Sequence, residues 1–282
     1  MRIVCAADCG VDRFDDLGLD RAGGIGLNVA VHCRRLCGPG DEVAVVAPIG
    51  DDEAAEVVRA TVAREGIRDG LVQRAGASSM QHIRHAADGE RLFTRFDEGV
   101  LRGFVLGPDE RELIIGCDLL ATAAFGQGLE LFEAAIACPS RGLRAVDFTN
   151  ANDIGDPLPF VERHAASFHV GLFGLTIDDG ALIDELELLA RRLDRLLVVT
   201  LGAHGSIALG GAARLTCPAV QVERVVDTTG AGDAFTAGFL CSYVQDRDVA
   251  AALARGSAVA ASTLGQIGSF SPLRSSVGPA DG

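Results

Sequence analysis

Short apolar runs alternate with longer helical stretches along nearly the whole chain, and nothing else in the sequence limits its fold so tightly. Residues 3–7, 43–49, 119–124, 144–148, 168–173 and 196–201 read as strands. Residues 26–37, 53–65, 130–137, 159–164 and 178–193 carry apolar side chains at helical spacing, such as Leu27, Ala30, Val31 and Leu36 in the first of them. Gly66 supplies the stop for the second. Strands separated by helices predict a mostly parallel sheet covered on both faces, a three-layer α/β/α arrangement. After the last such strand, residues 206–209 and 213–216 form a hairpin turned by Gly210-Gly211, and helices over 231–244 and 248–265 close the domain.

One region departs from the alternation. Residues 80–86 and 91–96 flank Asp88-Gly89, a hairpin signal that cannot easily join a parallel sheet. It reads as a small β-sheet lid built from about 9–17 and 78–98, beside a single domain spanning 1–270. The tail 271–282, rich in Ser, Gly and Pro, reads as disordered. No internal repeat is evident.

Charge narrows the function. The formal net charge is −14, which repels nucleic acid and anionic membrane alike. The basic residues are all Arg, and no Lys occurs. That excludes a P-loop NTPase, a protein kinase and a pyridoxal enzyme, each of which needs a particular lysine. Any phosphate site must therefore rest on backbone dipoles, a metal ion and a few arginines. No apolar run is long enough for a transmembrane helix, and the N-terminal run meets Asp8 too early for a secretory signal, so a cytoplasmic protein is expected. The eight cysteines show no Cys-x-x-Cys spacing and read as buried free thiols; Cys33 and Cys37 share a helical face but lack further ligands for a metal. The six histidines form no cluster.

The densest chemistry lies in Asp227-Thr228-Thr229-Gly230-Ala231-Gly232-Asp233-Ala234-Phe235. Gly230 and Gly232 let the chain turn tightly, so that successive amides at a helix start face outward as an anion hole. Asp233 follows at once, placed to take the proton of an attacking hydroxyl. A bare Gly-x-Gly turn with a capping Asp would be structure alone; the full string is far more specific. Near the N-terminus, Gly23-Gly24 permits close backbone approach, and Asn28 offers a donor and an acceptor to a vicinal diol. Asp8 and Asp12 follow the first strand, at the sheet end where α/β proteins put their ligands. Each of these also reads as an ordinary turn or solvated loop when taken singly.

The stretch from Asp227 to Phe235 resembles the C-terminal signature of the ribokinase (PfkB) family of carbohydrate kinases, and the likeness extends over roughly residues 1–270. The resemblance implies a ribokinase-like fold, ATP as phosphoryl donor, magnesium as cofactor and a sugar hydroxyl as acceptor. It implies Asp233 as catalytic base, with Gly230, Ala231 and Gly232 as the anion hole. It also implies sugar contacts from Asp8, Asp12, Gly23, Gly24 and Asn28, and a monovalent cation near Asp227 and Thr229. Thr200, Gly202 and Gly205, within Thr200-Leu201-Gly202-Ala203-His204-Gly205, together with Thr228, resemble the nucleotide-binding positions. Lids of this family often pair edge to edge, which implies a homodimer.

Within the family the chain looks most like the bacterial fructoselysine 6-kinases, through residues 24–30, Asp97-Glu98-Gly99-Val100, Asp147-Phe148 and 237–241. Asp97 and Glu98 would then face the substrate's amine, and Arg84, Arg91 or Arg95 its carboxylate; a solvated hairpin face explains the same charges. Two departures stand out. Ile25 occupies a position where relatives often have Asn, and residues 171–179 lack the family's Asn-x-x-Glu element, for which Asp178 or Asp179 would have to substitute. Three readings follow: a fructosamine kinase, a kinase of a hexose, ribose or nucleoside, or an impaired ligand-binding homologue.

Overall fold

The computed structural model describes residues 1–85, 91–151, 154–211 and 213–271. The turn at 88–89 and the tail from 272 lie outside them. Strand β1 (Arg2–Ala6) is almost wholly buried after its first residue, as an apolar run flanked on both sides must be. It pairs in parallel with β4 (Glu42–Ile49) and with β8 (Leu119–Ala123). Beyond β4 the edge strand β5 (Arg68–Gln73) runs parallel. Beyond β8 come β9 (Leu143–Asp147), β10 (Val170–Gly174) and β11 (Leu196–Thr200), again parallel. The antiparallel hairpin of β12 (Ser206–Leu209) and β13 (Leu215–Cys217) completes the order β13-β12-β11-β10-β9-β8-β1-β4-β5.

Helices cover both faces. On one, α1 (Ile25–Leu36), α2 (Glu53–Glu65), α7 (Ala231–Asp246) and α8 (Val249–Thr263) share a core with the sheet through residues such as Leu27, Val58, Phe239 and Leu253. On the other, α3 (Pro108–Ile115), α4 (Leu129–Ile136), α5 (Pro157–His164) and α6 (Gly180–Leu193) pack through Ile114, Phe132, Phe160 and Leu186. This is the three-layer α/β/α fold that the alternation predicts.

The lid is a separate four-stranded sheet in the order β3-β2-β6-β7. The sequence suggests one strand over 9–17; instead β2 (Gly10–Phe14) turns back as β3 (Leu19–Gly23), so the diglycine begins at a strand end. β2 pairs in parallel with β6 (Ser79–His85), and β6 pairs antiparallel with β7 (Arg91–Asp97). The register slips between His82 and Ile83, leaving Thr94 as an extra residue on β7. Strands β3 and β5 and helix α3 escape the sequence pattern. β3 and β5 carry charged residues in place of an apolar run, and α3 buries only Ile114.

Candidate active site

The strand order reverses between β1 and β8, since the chain moves from β1 out to β5 and returns on the far side at β8. Crevices at such points, beyond the carboxyl ends of the strands, are where α/β sheets hold ligands. Asp8 stands just past β1, and its Oδ1 accepts from the Ile25 amide at 3.0 Å. The two glycines before α1 leave no room for a side chain. A Cβ on Gly23 would fall 2.3 Å from Asp12 Oδ2, and one on Gly24, whose φ is 94°, would fall 2.7 Å from the Asp8 carbonyl oxygen. The diglycine thus packs directly against Asp8 and Asp12, both about 5% exposed. Ile25 gives its amide to Asp8, while its side chain packs on the cores of both sheet faces.

The turn before α7 is held from outside. Asp227 Oδ1 accepts from the Thr229 amide (2.9 Å) and hydroxyl (2.7 Å), and Oδ2 accepts from the Gly268 amide at 2.8 Å. Gly230 has φ 72°, and a Cβ there would lie 2.2 Å from Ser269 Oγ, so conformation and space both require glycine. The Ala231 amide is directed at the Thr228 carbonyl oxygen (3.2 Å). Among the described residues, the amides of Gly230, Gly232 and Asp233 have no hydrogen-bond acceptor. Gly232 is exposed with open space where a side chain would stand, so its amide can be approached. Open amides at a helix start attract anions.

Asp233 Oδ2 accepts from Asn28 Nδ2 at 2.8 Å, joining residues 205 positions apart. Asn28 is 4% exposed and its Oδ1 has no partner among the described residues, which leaves one buried acceptor unsatisfied next to Asp233. Asp147, at the end of β9, accepts from the Thr149 amide at 2.8 Å and the Thr236 hydroxyl at 3.3 Å. Among the described residues these four carboxylates have no counter-ion in contact, and each is harder to ionise than usual. Burial raises Asp8 to about 6; burial and then the charge of Asp8 raise Asp12 to about 7. Asp147 is raised by burial, and Asp233 well above the carboxylate range by burial and then by Asp147. Sequence reasoning gave Asp147 no role; its signal was a carboxylate at the carboxyl end of a buried strand.

Among the described residues, the other named positions make no hydrogen bond to these four carboxylates. At the end of β11, Thr200 donates to the Phe173 carbonyl oxygen at 3.2 Å, and Gly202 (φ 55°) and Gly205 (φ 93°) shape the following turn. Thr228 is exposed. Asp179 Oδ2 accepts from both the amide (2.8 Å) and the hydroxyl (2.7 Å) of Thr176, a capping box on the 3-10 turn Ile177–Asp179 that leads into α6, so the fold already engages that oxygen. Among the described residues, no three His, Cys, Asp or Glu side chains converge as a metal cage. Magnesium bound mainly through substrate phosphates and water needs no such cage. On the lid, Glu98 lies 3.1 Å from Arg102, and Asp97 lies 2.9 Å from Arg95 and 3.2 Å from His82.

Residues 163–275 match the model of the pfkB family of carbohydrate kinases. The chain is 29% identical to fructoselysine 6-kinase of Shigella flexneri over 254 residues, covering 90% of this chain and 94% of that protein. It is 31% identical to fructokinase-1 of Oryza sativa subsp. japonica, covering 79% and 74% respectively. A crystal structure of fructokinase from Vibrio cholerae O395, in its fructose-, ADP- and calcium-bound form, superposes with a TM-score of 0.76 at 20% identity, covering 96% and 95% of the two chains.

Proposed function

The chain belongs to the pfkB family of carbohydrate kinases, and from that premise we propose that it phosphorylates the primary hydroxyl of a fructosamine such as fructoselysine, with Asp233 as the base. It is a phosphotransferase with an alcohol group as acceptor. One observation carries the reading: the Asp233 carboxylate sits beside the open amides of its own helix start, tied to Asn28 on the helix that follows the diglycine.

In this reading the acceptor hydroxyl lies between Asp233 and the γ-phosphorus of ATP. Its oxygen forms the new P–O bond, the bond to the β-phosphate oxygen breaks, ADP departs, and the hydroxyl proton passes to Asp233. The amides of Gly230, Gly232 and Asp233 hold the charge on the moving phosphoryl oxygens. Asn28 Oδ1, Asp8 and Asp12 accept from the other sugar hydroxyls, and the latter two donate in return while protonated. Asp227 and Thr229 fix the turn, and a monovalent cation there would reinforce it. Magnesium, when bound, neutralises charge on the phosphates. Thr200, Gly202, Gly205 and Thr228 would line the nucleotide. The lid's free edge, β7 with Leu92 50% and Phe93 57% exposed, suits pairing with a second copy.

Fructosamine as acceptor is supported by the names of the relatives. The pairing of Asp97 with Arg95 and of Glu98 with Arg102 favours a second reading, a neutral hexose, because both of these acids already have a cation. ATP turnover with fructoselysine, fructose, ribose and adenosine separates the two. Asp233→Asn is expected to lower kcat about 10²–10⁴-fold, the usual contribution of a general base; turnover equal to wild type would refute the mechanism.

A further inference from the structure

Helix α1 carries two buried polar side chains one turn apart, Asn28 and His32, 4% and 6% exposed. Asn28 holds Asp233. His32 Nε2 lies 3.0 Å from the Ser269 carbonyl oxygen, past the end of α8, and its ring meets the Phe270 ring edge-on with centroids 6.4 Å apart. A carbonyl oxygen only accepts, so the ring proton is on Nε2 and the imidazole donates. Burial lowers the His32 pKa to about 4, against the raising effect of that bond, and the ring is neutral at pH 7.

The stretch from Gly268 to Phe270 backs the turn before α7. Gly268 gives its amide to Asp227 Oδ2 at 2.8 Å, and Asp227 Oδ1 holds the amide and hydroxyl of Thr229. Ser269 is 1% exposed and stands where a side chain on Gly230 would be, since a Cβ there would lie 2.2 Å from Ser269 Oγ and 2.8 Å from its Cα. With no space between them, a shift of Ser269 moves Gly230. Ser269 Oγ has no partner among the described residues, so its hydroxyl does not fix the stretch. Among the described residues, the His32 bond is the one that ties Ser269 to α1.

We propose that His32 is a positioning residue for phosphoryl transfer, which acts through Ser269 to hold the turn from Asp227 to Gly232 in register with the acceptor-site helix. The inference rests on the kinase reading above and adds to it the side chain that aligns the two halves of the site. One helix then grips the base through Asn28 and the back of the amide cradle through His32. Loss of the second grip leaves Asp8, Asp12 and Asn28 in place for the acceptor, while the amides drift from the moving phosphoryl oxygens. The loss therefore falls on kcat more than on acceptor KM.

The test uses the intact enzyme with magnesium-ATP and the best acceptor of the four named above, at a temperature where every variant is folded by circular dichroism. His32→Phe keeps a ring against Phe270 and removes the donor. It is expected to lower kcat about tenfold or more, since a misplacement of about 1 Å costs up to about 100-fold, with acceptor KM changed less than about threefold. His32→Gln, whose amide nitrogen reaches a similar point, should recover most of the rate. With acceptor present, His32→Phe should weaken binding of magnesium-ADP with aluminium fluoride at least about fivefold and leave magnesium-ADP alone unchanged. A purely structural role would lower Tm and leave kcat per folded molecule unchanged. A kcat within about twofold of wild type, a glutamine variant as slow as the phenylalanine one, equal aluminium fluoride binding, or a loss confined to KM overturns the proposal. If Asp233→Asn is inactive while His32→Phe keeps the wild-type rate, this inference fails alone; if Asp233→Asn is fully active, the kinase reading fails.

Discussion

Asp147 makes no hydrogen bond to Asp233, yet after burial it is the strongest influence raising the pKa of that carboxylate. Replacing it with Asn removes a negative charge, so Asp233 gives up its proton more easily. Only the ionised form can act as a base, and activity therefore persists to lower pH. The acid limb of kcat/KM for Asp147→Asn is expected to lie at lower pH than that of wild type, measured on one acceptor; an unmoved limb would remove Asp147 from control of the base. At this scale the sequence was most readable where chemistry is local, as in the turn from Asp227 to Asp233. Asn28 and Asp233 were each legible, but their bond was not, because it joins two helices whose packing only the folded sheet defines.

Among the elements, one carboxylate ties α2 to the start of lid strand β6. Asp52 caps α2 by accepting from the Ala55 amide at 3.0 Å, and it also accepts from the hydroxyl (2.7 Å) and amide (2.9 Å) of Ser78, just before β6. Ser78 in turn accepts from the Gly50 amide at the end of β4. Asp52→Ala removes a cap and an anchor together and is expected to cost about 2 kcal/mol or more. Thermal denaturation should show a Tm lower by several degrees, and hydrogen exchange should be faster in β6 than in β10. A variant with wild-type Tm would show that the joint contributes nothing. The bounds of α2 were readable because a capping Asp and Gly66, with φ 66°, mark its ends. β3 and β5 carry no such marks; they are strands because neighbours supply their hydrogen bonds.

Across the whole molecule, one arginine, Arg35, joins α1, α2 and the stretch after α8. The Glu65 side chain is 1% exposed and receives two hydrogen bonds from Arg35, at 2.9 and 2.7 Å. Arg35 also donates to the Ser271 carbonyl oxygen at 2.8 Å and lies 5.6 Å from the centre of the Phe270 ring. Arg35→Ala would leave a buried carboxylate with, among the described residues, only Arg64 at 3.9 Å, and is expected to cost about 3–5 kcal/mol in chemical denaturation. A change below about 1 kcal/mol would show that water replaces the lost cation. The layered fold was legible because alternation is a property of the entire sequence, whereas this clasp depends on packing between α1, α2 and the stretch after α8. The same stretch reaches the phosphoryl-transfer turn, through Gly268 on Asp227, Ser269 against Gly230, and the Ser269 carbonyl oxygen 3.0 Å from His32 Nε2. Translation delivers those residues long after the diglycine and the lid. A ribosome-held nascent chain stalled before residue 268 would own its sugar-facing half and still lack a working cradle, so catalysis can begin only when synthesis of the described chain is nearly finished.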